Sequence, residues 1–168
     1  EVVGIVKAYT TRVGNGPFPA ELHDEMGEQL RKEGSEFGAT TGRPRRCGWF
    51  DSVMVRKAVE LNGLTKIALT KLDVLNKLDE IKICTHYRID GKTVEDFPTD
   101  PRLLERAEPV WEVLPGWKQD ICGAGSFAEL PEATQAYVNR IRRHCYDSPL
   151  LMISVGADRS ETMEIEPV

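Results

Sequence analysis

No apolar run in the sequence is long enough to cross a membrane. The longest runs, Val2 to Val6 and Leu150 to Val155, fall far short of the roughly 20 residues that a transmembrane helix needs. Lys7 interrupts the first apolar stretch and Glu1 precedes it, so we expect no signal peptide. Basic residues are not in excess either, because 22 Lys and Arg stand against 27 Asp and Glu, a net charge of -5. This balance disfavours binding to nucleic acid or to an anionic membrane, and small ligands or other proteins are the expected partners.

Cysteine and histidine residues at metal-ligand spacing are also absent. The four cysteines contain no CxxC pair, and the three histidines are equally scattered (Cys47, Cys84, Cys122, Cys145; His23, His86, His144). A structural zinc site needs such ligands close together, and disulfides are rare in the reducing cytosol. We therefore expect buried free thiols, no metal ligands within this chain and a cytoplasmic location.

A phosphate-binding loop of the form Gly-x-x-x-x-Gly-Lys-Ser/Thr is missing as well. Without it, nothing in the sequence is suited to cradle a triphosphate in that manner. No nucleophile stands beside a base, and no cluster of carboxylates suggests a magnesium site. We predict no catalytic residue within this chain.

What the sequence does contain is the apolar patterning of an α/β protein. The 168 residues, 40% of them hydrophobic, suffice for one compact domain. Val2 to Tyr9 is a nearly continuous apolar run rich in β-branched residues, which predicts a strand buried on both faces. Since a domain rarely opens inside such a strand, we expect the chain to be a piece of a longer protein.

Helix and strand patterns alternate along the rest of the chain. Three helices are predicted: one bearing Leu22, Met26 and Leu30, one from Asp51 or Ser52 to Gly63, and one that Pro131 opens and Asp147 to Pro149 close. Strands are predicted over 65–70, 80–87, 109–114 and 150–155, the second of them half-exposed. This alternation indicates an α/β fold, a largely parallel sheet with flanking helices.

Polar residues follow the predicted strands where ligands of α/β sheets gather. Thr70 to Asp73 is a Thr-Lys-x-Asp pattern, in which a carboxylate accepts hydrogen bonds from guanine N1–H and N2–H, while Lys71 lies along the base. Ser154 to Gly156 follows another strand, and its glycine allows backbone amides to approach the base carbonyl. The alternative is a solvated lysine and aspartate that open a turn.

A second candidate site is the segment from Ala39 to Arg46. It places three arginines within four positions of an acidic chain, next to Thr40, Thr41 and Gly42. Arginine forks bind carboxylates and phosphates in bidentate fashion, so the segment suggests an anion site. The alternative is a set of surface arginines paired with neighbouring Glu and Asp.

Taken together, these segments resemble the C-terminal part of the adenylosuccinate synthetase family. The similarity covers essentially the whole chain, in the family's order: Gly4 to Gly14, Gly16 to Pro19, Glu36 to Asp51, Ala68 to Leu75, Leu114 to Trp117 and Ile153 to Gly156. The resemblance implies that residues 1–168 are the C-terminal portion of such an enzyme and part of a larger P-loop-NTPase-like fold. It also implies a reaction in which GTP phosphorylates IMP and L-aspartate then displaces the phosphate.

The resemblance further implies which residues bind each substrate. Val13 matches a backbone contact to the IMP ribose, and the aspartate and IMP loop comprises Ala39, Thr40, Thr41, Gly42, Arg43, Pro44 and Arg45. Arg45 would also face the GTP phosphates, and the guanine contacts comprise Lys71, Leu72, Asp73, Ser154, Val155 and Gly156.

The family's phosphate loop, catalytic residues and Mg2+ ligands match nothing in this sequence. The resemblance places them upstream of it, so we expect the isolated chain to be inactive and the full-length enzyme to form a homodimer. A stand-alone guanine-nucleotide-binding domain without ligase activity is the alternative.

Overall fold

The computed structural model describes residues 1–165, so the last three residues of the predicted 1–168 unit lie outside the described part. This part contains ten strands: β1 (Val3–Lys7), β2 (Thr10–Arg12), β3 (Arg46–Gly48), β4 (Phe50–Asp51), β5 (Lys66–Thr70), β6 (Glu80–Ile89), β7 (Lys92–Val94), β8 (Glu108–Pro115), β9 (Leu150–Ser154) and β10 (Thr162–Glu164). Its four α-helices are α1 (Glu25–Glu33), α2 (Ser52–Asn62), α3 (Pro101–Leu104) and α4 (Glu132–His144). The expected α/β class is confirmed.

The chain divides into two compact units rather than the single one expected. The first comprises Glu1–Ala8, Met54–Ile81 and the described residues from Val113 on, and the second comprises Tyr9–Val53 and Lys82–Glu112. No helix within residues 1–165 is both long and apolar enough to cross a bilayer.

The first unit is built on a four-stranded sheet in the order β1-β5-β9-β10. Its first three strands are parallel, and only β10 runs antiparallel, against β9. Central β5 is short and apolar, with Ile67 and Leu69 almost fully buried, as a strand with neighbours on both sides requires. The prediction of a largely parallel sheet therefore holds in this unit.

Strand β1 forms as predicted, but its expected burial on both faces is wrong. Ile5 is 79% exposed and Val3 is 38% exposed. The physical reason is that few of the described residues pack on this face of β1, which pairs with β5 at the edge of the sheet. An apolar run predicts a strand well, whereas burial depends on what else covers it.

Helix α4 begins after Pro131 and buries the face that its periodicity predicts. Tyr137, Val138 and Ile141 are all fully buried, and the Tyr137 hydroxyl donates to the carbonyl of Ala8 at 2.6 Å. This bond connects the helix to the residue that follows β1. Tertiary packing of the apolar face stabilises a helix of this length more than its intrinsic propensity does.

The second unit holds strands of two further sheets, one of two strands and one of four. Strands β2 and β3 pair antiparallel, while β4 is parallel to β6, which also pairs with β7 and β8. Asp51 accepts hydrogen bonds from the Val53 amide at 3.1 Å and the Tyr87 hydroxyl at 2.6 Å, which confirms the predicted start of α2. Cys84, on β6, is buried in a cluster with Tyr87 and Leu104.

All four cysteines are free, as expected. Cys47, Cys84 and Cys145 are buried, so the prediction of buried thiols is confirmed for three of the four. Cys122 is partly exposed.

Gly116 marks a close backbone approach in the first unit. Its amide donates to the Asp79 carbonyl at 2.8 Å, and a Cβ added there would overlap the carbonyl oxygen of Leu78. We expect Gly116→Ala to lower the free energy of unfolding by about 1–3 kcal/mol, because the backbone must move. Gly123→Ala is the control, since open space surrounds that glycine, and it should change stability by less than about 0.5 kcal/mol. Denaturant unfolding measures both, and equal effects would contradict the prediction.

Candidate functional site

The predicted guanine contacts lie where two neighbouring strands of the first unit's sheet, β5 and β9, end. Lys71 follows β5 in the left-handed conformation, with φ at 61°, and leads into a 3₁₀ turn over Leu72–Leu75. Leu72, Val74 and Leu75 are buried and anchor this turn. Asp73 is thereby fixed at the carboxyl end of β5, where α/β sheets place ligand-binding groups.

Asp73 combines partial burial with an unsatisfied carboxylate. Its Oδ1 is buried and has no hydrogen-bond partner within residues 1–165. Burial raises the pKa of this carboxyl, and the nearby charges of Glu161 and Asp120 act in the same direction, while Lys71 opposes them. A buried acceptor without a donor costs free energy, so the site fits a ligand that supplies N–H groups.

The second predicted guanine segment lies beside the first. Residues Leu69 and Ile153 are partners in the parallel pairing of β5 with β9, so Ser154 to Gly156 leave the sheet next to Lys71 to Asp73. The Ser154 hydroxyl donates to the Gly156 carbonyl at 2.8 Å. The Val155 amide donates to the Glu161 carbonyl at 2.8 Å, so this amide holds the turn rather than a ligand. A Cβ at Gly156 would overlap the Glu161 carboxylate.

The predicted anion loop lies in the second unit and is closed at its base. The Arg45 amide donates to the Glu36 carbonyl at 2.9 Å, and the Gly38 amide donates to the Arg43 carbonyl at 2.8 Å. Gly42 has a φ of 64°, which favours glycine at this turn. The tip, residues 39–44, is exposed. A rigid base with an exposed tip suits a loop that binds a ligand.

The three arginines of this loop have different surroundings. Arg45 pairs with the fully buried Glu36 carboxylate at 2.8 Å. Arg46 pairs with Glu21 and also donates to the carbonyls of Gly14 at 2.8 Å and Gly16 at 2.7 Å. The alternative of arginines paired with neighbouring carboxylates therefore holds for Arg45 and Arg46.

Arg43 differs from the other two. It is exposed and forms no ion pair within residues 1–165, and its amide donates to Thr41 Oγ1 at 3.3 Å. The loop thus presents one unneutralised guanidinium beside threonine hydroxyls, an arrangement suited to a carboxylate ligand.

Glu36 was not among the predicted site residues. Its buried carboxylate accepts from the Tyr9 hydroxyl at 2.5 Å and from Arg45, so it fixes the start of the loop. An acid beside apolar Phe37 in sequence offers little indication of this, because its partners come from other segments.

The sequence-predicted residues fall into two groups. Lys71 to Asp73 and Ser154 to Gly156 come together in the first unit, whereas residues 39–45 and Val13 belong to the second. Val13 is 73% exposed. That both groups act on one set of substrates stays a prediction.

Metal binding finds no support among residues 1–165, where no three His, Cys, Asp or Glu side chains are grouped to hold an ion. The residues present therefore do not fit a Mg2+ site of their own.

The raised pKa of Asp73 makes stability depend on pH. The folded state favours the protonated Asp73 carboxyl, because its pKa is raised. The stability that Asp73 contributes is therefore complete below the pKa of the unfolded state, and it is lost as pH rises through the pKa of the folded state. Asp73→Asn, neutral at every pH, should match wild type near about pH 3 and unfold at higher temperature by about pH 7. Thermal unfolding across this range measures the difference. Asp147→Asn, at an exposed site, is the control. If the difference in unfolding temperature between Asp73→Asn and wild type did not depend on pH, the prediction would be refuted.

Comparison with known proteins identifies the family to which this chain is similar. The sequence model described as adenylosuccinate synthetase matches residues 1–163. The adenylosuccinate synthetases of Geobacter metallireducens and Pelobacter propionicus are each 57% identical to this chain, over 98% and 97% of it. In both cases the chain spans 38% of the relative's length.

A solved structure has the same fold. Fully ligated adenylosuccinate synthetase from Plasmodium falciparum superimposes with a TM-score of 0.94 at 41% identity, covering 98% of this chain and 40% of that one. The chain therefore corresponds to about two fifths of these longer proteins.

Proposed function

The chain belongs to the adenylosuccinate synthetase family, and on that basis we propose that the full-length protein joins IMP to L-aspartate at the expense of GTP. The observation that supports this most directly is the buried, unpartnered Asp73 oxygen at the end of β5. Guanine presents two adjacent donors, N1–H and the N2 amine, to a carboxylate in such a position. Adenine has no such donor pair and would leave the oxygen unsatisfied.

In the proposed reaction, the γ-phosphoryl group of GTP passes to O6 of IMP, with release of GDP. The amine of L-aspartate then attacks C6, the C6–O6 bond breaks and phosphate leaves, which produces adenylosuccinate. This chain supplies recognition. Asp73 and Lys71 bind the guanine base together with Ser154 to Gly156, while residues 39–45 bind L-aspartate.

Within that loop, Arg43 is the principal carboxylate ligand, because its guanidinium is exposed and forms no ion pair with the described residues. Thr40 and Thr41 supply hydroxyls beside it. Arg45 extends from its pair with Glu36 towards the GTP phosphates, and Val13 contacts the IMP ribose through its backbone.

The remaining parts of the reaction belong to the portion of the relatives that this chain does not span. We assign the Mg2+ site and the general acid and base to that portion, so the isolated chain would be inactive. We further propose that the full-length enzyme is a cytoplasmic homodimer, without nucleic-acid or membrane partners.

A chimera tests the proposal. In it, this chain replaces the matching 165-residue segment of the Geobacter metallireducens relative, and adenylosuccinate formation is followed by absorbance. We expect product only when IMP, L-aspartate and GTP are all present. A folded chimera that binds GTP yet forms no product would contradict the proposal, provided that the unmodified relative is active under the same conditions.

A guanine-nucleotide-binding module is the second candidate. It is favoured by the presence of both guanine segments in one compact unit. Calorimetry on the chain distinguishes the two functions, because tight GTP binding that ignores IMP and L-aspartate would favour the module.

A further inference from the structure

The side chain of Asn76 connects the guanine-binding turn to a distant segment of the first unit. Its Oδ1 accepts from Trp117 Nε1 at 3.0 Å, and its Nδ2 donates to Asp120 Oδ1 at 3.1 Å. Its backbone amide donates to the carbonyl of Asp73 at 3.0 Å. One residue thus contacts Asp73, Trp117 and Asp120 together.

The segment that Asn76 holds, residues 116–122, lies along the turn. Its first residue, Gly116, donates to the Asp79 carbonyl, and near its other end the Cys122 amide donates to Asp120 Oδ1 at 3.0 Å. Charge also places it near the site, because Asp120 contributes to the raised pKa of Asp73, and Asp73 contributes to that of Cys122. Asn76 therefore holds this segment beside the turn that carries Asp73.

We propose that Asn76 is a positioning residue for guanine recognition, and that residues 117–122 form a third wall of that site beside Lys71 to Asp73 and Ser154 to Gly156. This inference rests on the proposed function. Asn76 does not touch the base in this assignment. It holds the wall in a fixed position relative to the turn that carries Asp73.

The chemistry of the bridge explains why an amide is needed. Trp117 Nε1 is a donor and Asp120 is an acceptor, so the side chain between them must accept on one side and donate on the other. A carboxylate at position 76 would still accept from Trp117 but would repel Asp120. Changing position 120 to an amide at the same time restores a donor and an acceptor in reversed order.

The test compares Asn76→Asp with the double variant Asn76→Asp, Asp120→Asn in the full-length chimera. We expect Asn76→Asp to raise KM for GTP about 10-fold, since one bridging hydrogen bond becomes a repulsion. KM for IMP, KM for L-aspartate and kcat should change little, and the double variant should recover most of the loss. Asn62→Asp is the control, because among the described residues that exposed side chain binds only the Ala58 carbonyl of its own helix.

A second readout does not require activity. Among residues 1–165, Cys122 is the one cysteine that is partly exposed. The rate at which it is alkylated, located by mass spectrometry, therefore measures how accessible the wall is. We expect severalfold faster alkylation in Asn76→Asp and recovery in the double variant.

Unchanged alkylation and unchanged KM for GTP would overturn the inference, as would equal increases in KM for all three substrates. If the unsubstituted chimera makes no product but the alkylation pattern appears, the proposed function fails and the bridge between Asn76 and the wall stands.

Discussion

Asp73→Asn should transfer nucleotide preference from GTP to XTP in the chimera. The carboxylate accepts two hydrogen bonds from guanine, whereas an amide offers one donor and one acceptor, which suit the C2 carbonyl and N1–H of xanthine. Loss of a buried charged hydrogen bond costs about 2–3 kcal/mol, which corresponds to a loss of about 30- to 150-fold in kcat/KM for GTP. XTP should gain by a similar factor.

Steady-state kinetics with GTP and XTP measure this change of preference. Asp147→Asn removes the same charge at an exposed position of the same unit and should leave both values unchanged. An unaltered GTP preference in a folded Asp73→Asn chimera would show that Asp73 does not recognise the base. The same variant is expected to be more stable than wild type near neutral pH. The buried carboxylate would then lower the stability of the fold while serving to bind the base.

Local sequence patterns predicted the elements whose causes are local. The apolar run of β5, the periodic face of α4 and the glycine that follows α2 each formed where expected, because sterics and packing within a few residues determine them. The small strands β2, β3, β4, β7 and β10 were missed. Each has only two or three residues, too few for an alternating pattern to be distinguished from a loop.

Burial and pairing depend on distant residues and were predicted less well. Ile5 is exposed because other described residues leave its side chain largely uncovered, which the sequence of β1 does not indicate. Arg46 and Glu21 form an ion pair across 25 positions, so the local concentration of arginines overstated the positive charge available to a ligand. Arg43 differs from them only through tertiary structure.

The proposed guanine site illustrates both cases. Thr70 to Asp73 was predicted to contact guanine from four consecutive residues, and the parallel pairing of β5 with β9 places it next to Ser154 to Gly156. The unsatisfied state of the Asp73 oxygen was not predictable, because it depends on burial by the turn. Asn76 was also missed, since its partners lie more than 40 positions away.

Arg43→Leu should mainly impair the use of L-aspartate in the chimera. The substitution removes an exposed guanidinium that has no ion pair within the described residues, so the folded loop loses no internal contact of that group. Loss of a charge-assisted bond to a substrate carboxylate costs about 2–3 kcal/mol, so KM for L-aspartate should rise about 100-fold. KM for GTP should remain within about twofold, because its base is bound by the other unit.

Arg102→Leu is the matched control, since Arg102 is an exposed arginine of the same unit whose side chain, within residues 1–165, bonds only to Asp100. Arg43→Lys should fall between wild type and Arg43→Leu, because an ammonium retains the charge but not the planar fork. A normal dependence of rate on L-aspartate in Arg43→Leu would remove this residue from the binding site. In that case another arginine of the loop would have to bind the substrate. If Arg45 did so, the buried Glu36 carboxylate would lose its cationic partner, which is costly.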